Sequence, residues 1–236
     1  MSSEHGSNNG SSPSMFDKNG CVFPDDCYYD IDHDIWIKPV DEYLSIGLTS
    51  ILQAVAGKFV SIKPKSIGTE IIPGRSICTV ESQKYVGALR SPIEGRIVQV
   101  NDELIKSPSL ANTDPYGNGW VIRLQSNDDL EKVQQLTRGN KAIEALRMKV
   151  EEKRILCFKF IPDITINAIG LVCPGPVMRL AEEMTTVDMV DIVHLVADDP
   201  ASDGDVQSWA KVNGVELLEK RSDQSILHFL LRKKNK

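Results

Sequence analysis

The sequence has no run of apolar residues long enough to cross a membrane. A membrane-spanning helix needs about 18 or more consecutive apolar residues, and no segment of the 236-residue chain reaches that length. The first ten residues lack the charged and apolar regions of a signal peptide and the arginines of a transit peptide. These absences predict a cytoplasmic location and no membrane partner.

The chain also has no excess of positive charge. Lys and Arg total 27 against 33 Asp and Glu, which gives a net charge of −6. Binding to nucleic acid normally needs a basic surface, so no nucleic-acid partner is expected. The basic run at residues 232–236 is interpreted as a solvated tail, because such runs are usually tails.

The cysteines do not form a framework of short spacings. There are five of them, an odd number: Cys21, Cys27, Cys78, Cys157 and Cys173. In a reducing compartment such cysteines are expected to be free thiols. Cys21 and Cys27 could pair or bind a metal, but no second Cys/His pair accompanies them, so no metal site is predicted.

The composition divides the chain into four parts. Residues 1–22 are rich in Ser, Asn and Gly and are expected to be disordered, with order beginning near Val22. Residues 23–126 contain short alternating segments separated by Gly, Pro and Asn, which predict a mainly β domain, a flattened barrel or sandwich hybrid. Residues 127–153 have roughly helical spacing and are interpreted as a helical bridge or hairpin.

Residues 154–236 predict an α+β two-layer sandwich. The expected order is a strand at residues 157–160, a loop, a helix at 176–184, a strand at 191–196, a helix at 200–212 and a strand at 225–231. His194 and His228 lie in the predicted strands and are expected to be structural. Asp198 and Asp199 resemble a metal pair, although roles in a turn and a helix cap explain them equally well.

Lys84 is the first candidate functional residue. It lies between two β-rich segments, after Ser82 and Gln83, so its side chain is expected at the exposed tip of a hairpin. Such a position presents an amine for covalent modification. On spacing alone, a lysine that merely occupies a β-turn is the alternative.

The surrounding motifs resemble the lipoyl-carrying H-protein of the glycine cleavage system over about residues 25–135. They are the segments Glu81-Ser82-Gln83-Lys84, Pro92 with Gly95, Asn112 to Trp120, and His33 to Trp36. The resemblance implies that Lys84 carries lipoate in amide linkage. Gln83, Tyr85 and Ala88 depart from the usual neighbours of the modified lysine, which suggests a changed docking surface.

Cys173 is the second candidate. It precedes Pro174-Gly-Pro176 and a predicted helix, whose positive end would favour the thiolate and lower the pKa of the thiol. A buried, inert cysteine in a proline-rich turn is the alternative. No second cysteine is near enough in sequence to suggest an oxidoreductase pair.

The segment around Cys173 resembles the TusA/SirA-like sulfur-carrier family over about residues 154–234. The matching landmarks are Gly170-Leu-Val-Cys173-Pro-Gly-Pro176, Asp199-Pro200, Asp205 and Trp209. The resemblance implies a β-α-β-α-β-β fold in which Cys173 accepts and donates sulfur as a persulfide.

Together the resemblances imply a carrier protein, not an enzyme by itself, with sulfurtransferase activity through Cys173 left open. The preferred hypothesis is that lipoyl-Lys84 and Cys173 serve sulfur metabolism. The alternatives are an aminomethyl carrier of glycine cleavage with an accessory sulfur domain, and an interaction module with an unmodified lysine. Implied partners are a lipoate ligase or lipoyltransferase, dihydrolipoamide dehydrogenase, and either sulfur-transfer or heterodisulfide-reductase-like enzymes or glycine-cleavage enzymes.

Overall fold

The structure is a computed structural model that describes residues 15–234. The first part of the chain contains the strands β1 Met15–Lys18, β2 Cys21–Pro24, β3 Tyr28–Asp30, β4 Ile35–Val40, β5 Tyr43–Leu48, β6 Phe59–Pro64, β7 Glu70–Ile71, β8 Ser76–Ser82, β9 Val86–Arg90, β10 Gly95–Val100, β11 Ile122–Gln125 and β12 Leu136–Arg138. Its helices are α1 Ser50–Ala56, α2 Asp102–Lys106, α3 Leu110–Thr113 and α4 Gly139–Glu152. No helix among the described residues is long and apolar enough to span a membrane.

Two sheets enclose the core of this first domain. One sheet has seven strands in the order β12-β3-β4-β5-β11-β10-β7, and the other has three in the order β6-β8-β9. Ile37 and Ile46 of the large sheet belong to the same buried cluster as Ile62, Val80 and Leu89 of the small sheet. Alternating apolar residues on facing strands account for this packing, and the prediction of a mainly β domain is confirmed.

The sequence predicts a short helix at residues 49–56, with a Thr or Ser cap at its start and Gly57 at its end, and this helix is confirmed as α1. Thr49 occupies the N-cap position with an extended backbone, and Gly57 ends the helix with φ at 75°, a conformation that glycine adopts readily. Asn112 fixes the chain just beyond this end, because its side chain donates to Gly57 O and accepts from the Phe59 N–H, both at 2.9 Å. Helix α1 therefore has a defined exit into β6.

The prediction of a helical hairpin over residues 127–153 is wrong in its first half. The chain there forms a 3₁₀ turn and then β12, which pairs with β3 and joins the large sheet. The spacing of Leu136 is compatible with a helix. Its backbone instead forms the hydrogen bonds of a strand with the open edge of β3, and its side chain is buried. The Gly139-Asn140 pair is the start of α4, not a turn between helices.

The amino-terminal ribbon is ordered earlier than expected. Strands β1 and β2 pair antiparallel, so regular structure begins at Met15 and not near Val22; residues 1–14, also expected to be disordered, lie outside the described residues. Phe23 of β2 is buried in the cluster that contains Leu146 and Val150 of α4. Burial of this aromatic side chain offsets the entropy cost of ordering the ribbon.

A disulfide joins Cys21 to Cys157, with the two Cα atoms 4.8 Å apart. The prediction that all five cysteines are free thiols is therefore wrong for this pair. The two residues are separated by 136 positions, so no short spacing in the sequence revealed the pairing. Both are buried, and their bond attaches the ribbon to the segment that follows α4.

The second domain contains β13 Ile164–Asn167, α5 Gly175–Thr186, β14 Val193–Ala197, α6 Ser202–Val212, β15 Val215–Asp223 and β16 Ile226–Lys233. The sheet order is β13-β14-β16-β15, with β13 and β14 parallel and the other pairs antiparallel. Leu180 of α5 and Val206 of α6 share a core with Leu195 and Phe229 of the sheet. The predicted α+β two-layer sandwich is confirmed.

Two details of the second domain differ from the prediction. Residues 157–160, expected to form its first strand, belong to the connecting segment, because Cys157 is held by the disulfide; the strand is β13. The basic residues of the predicted tail are partly in β16, where Arg232 pairs with Glu216 at 3.1 Å and Lys233 donates to Val187 O. The last two residues of that run lie outside the described residues.

We expect the disulfide to stabilise the fold. A crosslink that closes a long loop lowers the entropy of the unfolded chain, and loss of a native disulfide typically costs about 2–5 kcal/mol. Reduction should therefore lower the free energy of unfolding of the wild-type protein, measured by denaturant titration, and the Cys157→Ser variant should start from the lower value. Reductant should leave the variant unchanged; an equal effect on both proteins would contradict the prediction.

Candidate functional site

Lys84 lies at the turn between β8 and β9, as predicted. The Ser82 N–H donates to Tyr85 O at 2.8 Å, which closes the turn. The Ser82 hydroxyl accepts hydrogen bonds from the backbone N–H groups of Lys84 and Tyr85 at 3.1 and 3.0 Å, and donates to Ala56 O at 2.7 Å. One side chain thus shapes the turn and attaches it to the end of α1, while Lys84 itself is exposed.

Sequence reasoning did not identify this role of Ser82. The signal was present, because serine is favoured in turns for its ability to bond nearby backbone N–H groups. Tyr85, noted as a departure beside the lysine, packs half-buried against the core. Its ring lies across Gly87, where any Cβ atom would clash with it.

The Lys84 side chain meets the second domain. Its Nζ atom lies 3.5 Å from Oγ1 of Thr165 on β13. Here the two domains enclose a cavity of about 330 Å³. Residues from α1, from the Lys84 turn, from the connecting segment and from the sheet line it, among them Val55, Lys84, Phe158, Thr165, His194 and His228.

A histidine pair forms one wall of this cavity. His194 Nε2 and His228 Nδ1 lie 3.0 Å apart, and the rings are stacked with centroids separated by 5.2 Å. Phe158 packs on both rings, at 5.0 and 6.0 Å. Sequence reasoning treated the two histidines as unrelated structural residues, because their positions on β14 and β16 are far apart in the sequence.

The surroundings of both histidines favour the neutral form of each ring. Burial lowers the pKa of His194 to about 4, and the charge of Lys84 and the charge that His228 would carry if protonated act in the same direction. Burial also lowers the pKa of His228. In a neutral pair the shared hydrogen bond uses one ring N–H and one ring acceptor, so the two remaining nitrogens are one donor and one acceptor.

Cys173 lies on the loop between β13 and α5, outside the cavity. Its backbone N–H donates to Asp199 Oδ2 at 2.6 Å, and the Gly170 N–H donates to Asp198 Oδ1 at 2.8 Å. The two aspartates thus hold the loop, which agrees with their predicted turn role. The Cys173 Sγ atom lies 3.9 Å from the Ser202 hydroxyl.

The predicted low pKa of Cys173 is wrong. A hydrogen bond to Asp205, partial burial and the charge of Asp199 raise the pKa of this thiol to about 11, against a smaller lowering by Ser202. The helix end does not reverse this, because Pro174 and Pro176 lack the N–H groups that a thiolate would use. Acidic side chains near Cys173 in space therefore outweigh the end of the helix that follows it in sequence.

The remaining free thiols are poor candidates for chemistry. Cys27 and Cys78 are buried, and burial raises the pKa of each to about 12. Cys173 is therefore the accessible free thiol within residues 15–234. The same part of the chain contains no cluster of three His, Cys, Asp or Glu side chains that could hold a metal ion.

Comparison with known proteins agrees with this division of the chain. Residues 27–149, more than half of the chain, match the family model "Glycine cleavage H-protein", and residues 164–233 match "Sulfurtransferase TusA". Glycine cleavage system H protein 5 of Aquifex aeolicus is 41% identical over 147 residues, which are 61% of this chain and 99% of that protein. The probable glycine cleavage system H protein 2 of Saccharolobus solfataricus is 34% identical over 146 residues, covering 61% and 98% of the two chains.

A solved structure also matches the first domain. It is a glycine cleavage system H protein from Mycobacterium marinum, which is 30% identical and aligns over 56% of this chain and all of that one, with a TM-score of 0.47. The family-model match and the full-length coverage of the relatives establish the assignment. The chain belongs to the glycine cleavage H-protein family and carries a TusA-like domain after its H-protein domain.

Proposed function

We propose that this chain carries two chemical groups, lipoate on Lys84 and sulfane sulfur on Cys173, and that both serve sulfur transfer. Members of the H-protein family carry lipoate covalently on a lysine, and both matched families are carriers. The observation that supports the proposal most strongly is that one chain combines an exposed lysine on a shaped turn with one accessible free thiol among its described residues.

The surroundings of Lys84 fit covalent attachment. Glu81, the nearest acid in sequence, pairs with Lys63 at 3.1 Å, and within residues 15–234 Lys84 forms no ion pair of its own. Its amine is therefore available to a lipoate ligase, and Ser82 fixes the backbone that such an enzyme would recognise. The attached group would supply a redox-active disulfide on a long tether, and amide formation would remove the charge of the lysine.

Cys173 is suited to accept sulfur from a persulfide donor. In this exchange the Cys173 sulfur bonds to the outer sulfur of the donor, the donor sulfur–sulfur bond breaks, and the donor leaves as a thiol. The Cys173 proton must be removed for attack, because the thiolate is the nucleophile, and the Asp205 carboxylate is placed to accept its hydrogen bond. The high pKa keeps the unloaded thiol protonated and unreactive.

The second candidate is an aminomethyl carrier of glycine cleavage with an accessory sulfur domain. The two relatives described above, both glycine cleavage system H proteins, favour it. The two functions differ in their partners: glycine-cleavage enzymes in one case and sulfur-transfer enzymes in the other. Exchange of CO₂ with glycine in the presence of the glycine-cleavage enzymes would support the second candidate, whereas its absence together with sulfur loading on Cys173 supports the first.

Lipoylation should depend on Lys84 and on its turn. After expression with a lipoate ligase, the intact mass should show one lipoyl adduct in the wild type, none in Lys84→Arg, and a reduced fraction in Ser82→Ala because the turn loses three hydrogen bonds. Lys65→Arg, a change at an exposed lysine outside the turn, is the control and should keep the adduct. An adduct that persists in Lys84→Arg would overturn the assignment.

Sulfur loading should depend on Cys173. Incubation with a persulfide donor should add a reducible single-sulfur mass to the wild type and not to Cys173→Ser, because the hydroxyl cannot form the sulfur–sulfur bond. Cys78→Ser is the matched control, since Cys78 is free but buried. Undiminished loading of Cys173→Ser would exclude the proposed role.

Asp205 should control the reactivity of Cys173. Because the carboxylate raises the thiol pKa, Asp205→Asn should shift that pKa from about 11 toward its ordinary value, and each unit of decrease raises the thiolate fraction about tenfold at pH 7–8. The pH dependence of iodoacetamide alkylation at Cys173 measures this. Asp203→Asn, on the same helix but paired with Lys220, is the control; identical pH profiles for both variants would contradict the prediction.

A further inference from the structure

We propose that the cavity between the two domains is a docking site for the lipoyl arm of Lys84, with the sulfur end of the arm against the His194–His228 pair. The inference rests on the proposed function, which places lipoate on this lysine. It adds a role for the TusA-like domain that does not involve Cys173, namely that its sheet holds the arm of the neighbouring domain.

The position of Lys84 provides the first argument. Its side chain lines the cavity, and its Nζ atom, the point of attachment, lies 3.5 Å from Thr165 Oγ1 on the opposite wall. A group bonded to Nζ therefore begins inside the cavity. The volume, about 330 Å³, falls within the range of about 300–1,000 Å³ that is usual for small-molecule sites.

The lining of the cavity matches the chemistry of the arm. Val55 and Val60 expose 55% and 57% of their surface although they are aliphatic, and both lie on the first-domain wall. Leu156 and Ile161 of the connecting segment complete an apolar path. A hydrocarbon chain laid along these side chains would remove apolar surface from water on both sides, which favours docking.

The histidine pair supplies the polar end. Whichever tautomer forms the shared hydrogen bond, one ring nitrogen remains an acceptor for a dithiol S–H and another remains a donor. A thiol is a weak donor and acceptor, so this pairing satisfies both partners without burying a charge. Acylation of Lys84 also removes the positive charge that now faces His194.

Docking would shield the reduced arm from reagents in solution. The lipoylated wild-type protein is reduced and then exposed to iodoacetamide. Mass spectrometry measures the rate at which the Lys84 adduct is alkylated. Thr165→Trp, which fills the cavity from an exposed strand position, should raise the alkylation rate about tenfold, as expected if the arm is docked about nine-tenths of the time. Ser222→Trp, an exposed strand position in the same sheet that does not line the cavity, should leave the rate unchanged.

Histidine NMR tests the same proposal without altering the cavity. Lipoylation of the wild type should shift the ring resonances of His194 and His228. These shifts should be larger than the shifts caused by the substitution Lys84→Gln, which removes only the charge. His33, on the surface of the first domain, is the internal reference and should not move.

The outcomes separate the two levels of the proposal. If the adduct forms but Thr165→Trp and the wild type are alkylated at the same rate, or if the histidine shifts equal those of Lys84→Gln, docking is overturned while the carrier function stands. If no lipoyl adduct forms on Lys84, both are overturned. The docking site is supported if alkylation is faster in Thr165→Trp but not in Ser222→Trp, and if the histidine shifts on lipoylation exceed those of Lys84→Gln.

Discussion

The connecting segment between the domains determines how the rest of the molecule is arranged. Helices cover only one face of the four-stranded sheet, so its other face needs a partner to bury it. Phe158 supplies part of this cover by packing on His194 and His228, and its neighbour Cys157 contacts the first domain. Cys157 is bonded to Cys21 of the amino-terminal ribbon, and Phe158 packs on His194 of the sheet. One short segment thus fixes both domains to each other.

The position of Lys84 follows from this arrangement. Lys58, just before β6 of the small sheet, pairs at 2.6 Å with Asp163, just before β13, so the small sheet and the second domain are in contact near the hairpin of β8 and β9. Ser82 then sets the direction of the turn, so that Lys84 reaches Thr165. Exposure and proximity are both required of a mobile carrier: the amine must be open to a modifying enzyme and close to the site that receives its group.

The two reactive groups remain separate in this arrangement. Lys84 contacts Thr165 and the Ser82 turn, whereas the surroundings of Cys173 are Asp199, Ser202 and Asp205. A thiol that nearby carboxylates keep protonated is less readily oxidised, because the thiolate is the reactive form. Under the proposed function, a lipoyl group on Lys84 would supply a long tether between such separate sites.

Local patterns in the sequence determined several strands, among them β4, β6, β8, β10, β14 and β16, together with the helix α1, the turn of Lys84 and the helix after Cys173, because alternation, capping residues and turn residues act over a few positions. The tertiary structure alone decided the Cys21–Cys157 bond, the His194–His228 pair, the cavity and the direction of the Cys173 pKa shift. Each of these depends on side chains that are distant in sequence and adjacent in space. Desolvation and charge–charge interactions depend on that spatial proximity, and no spacing rule along the chain contains it.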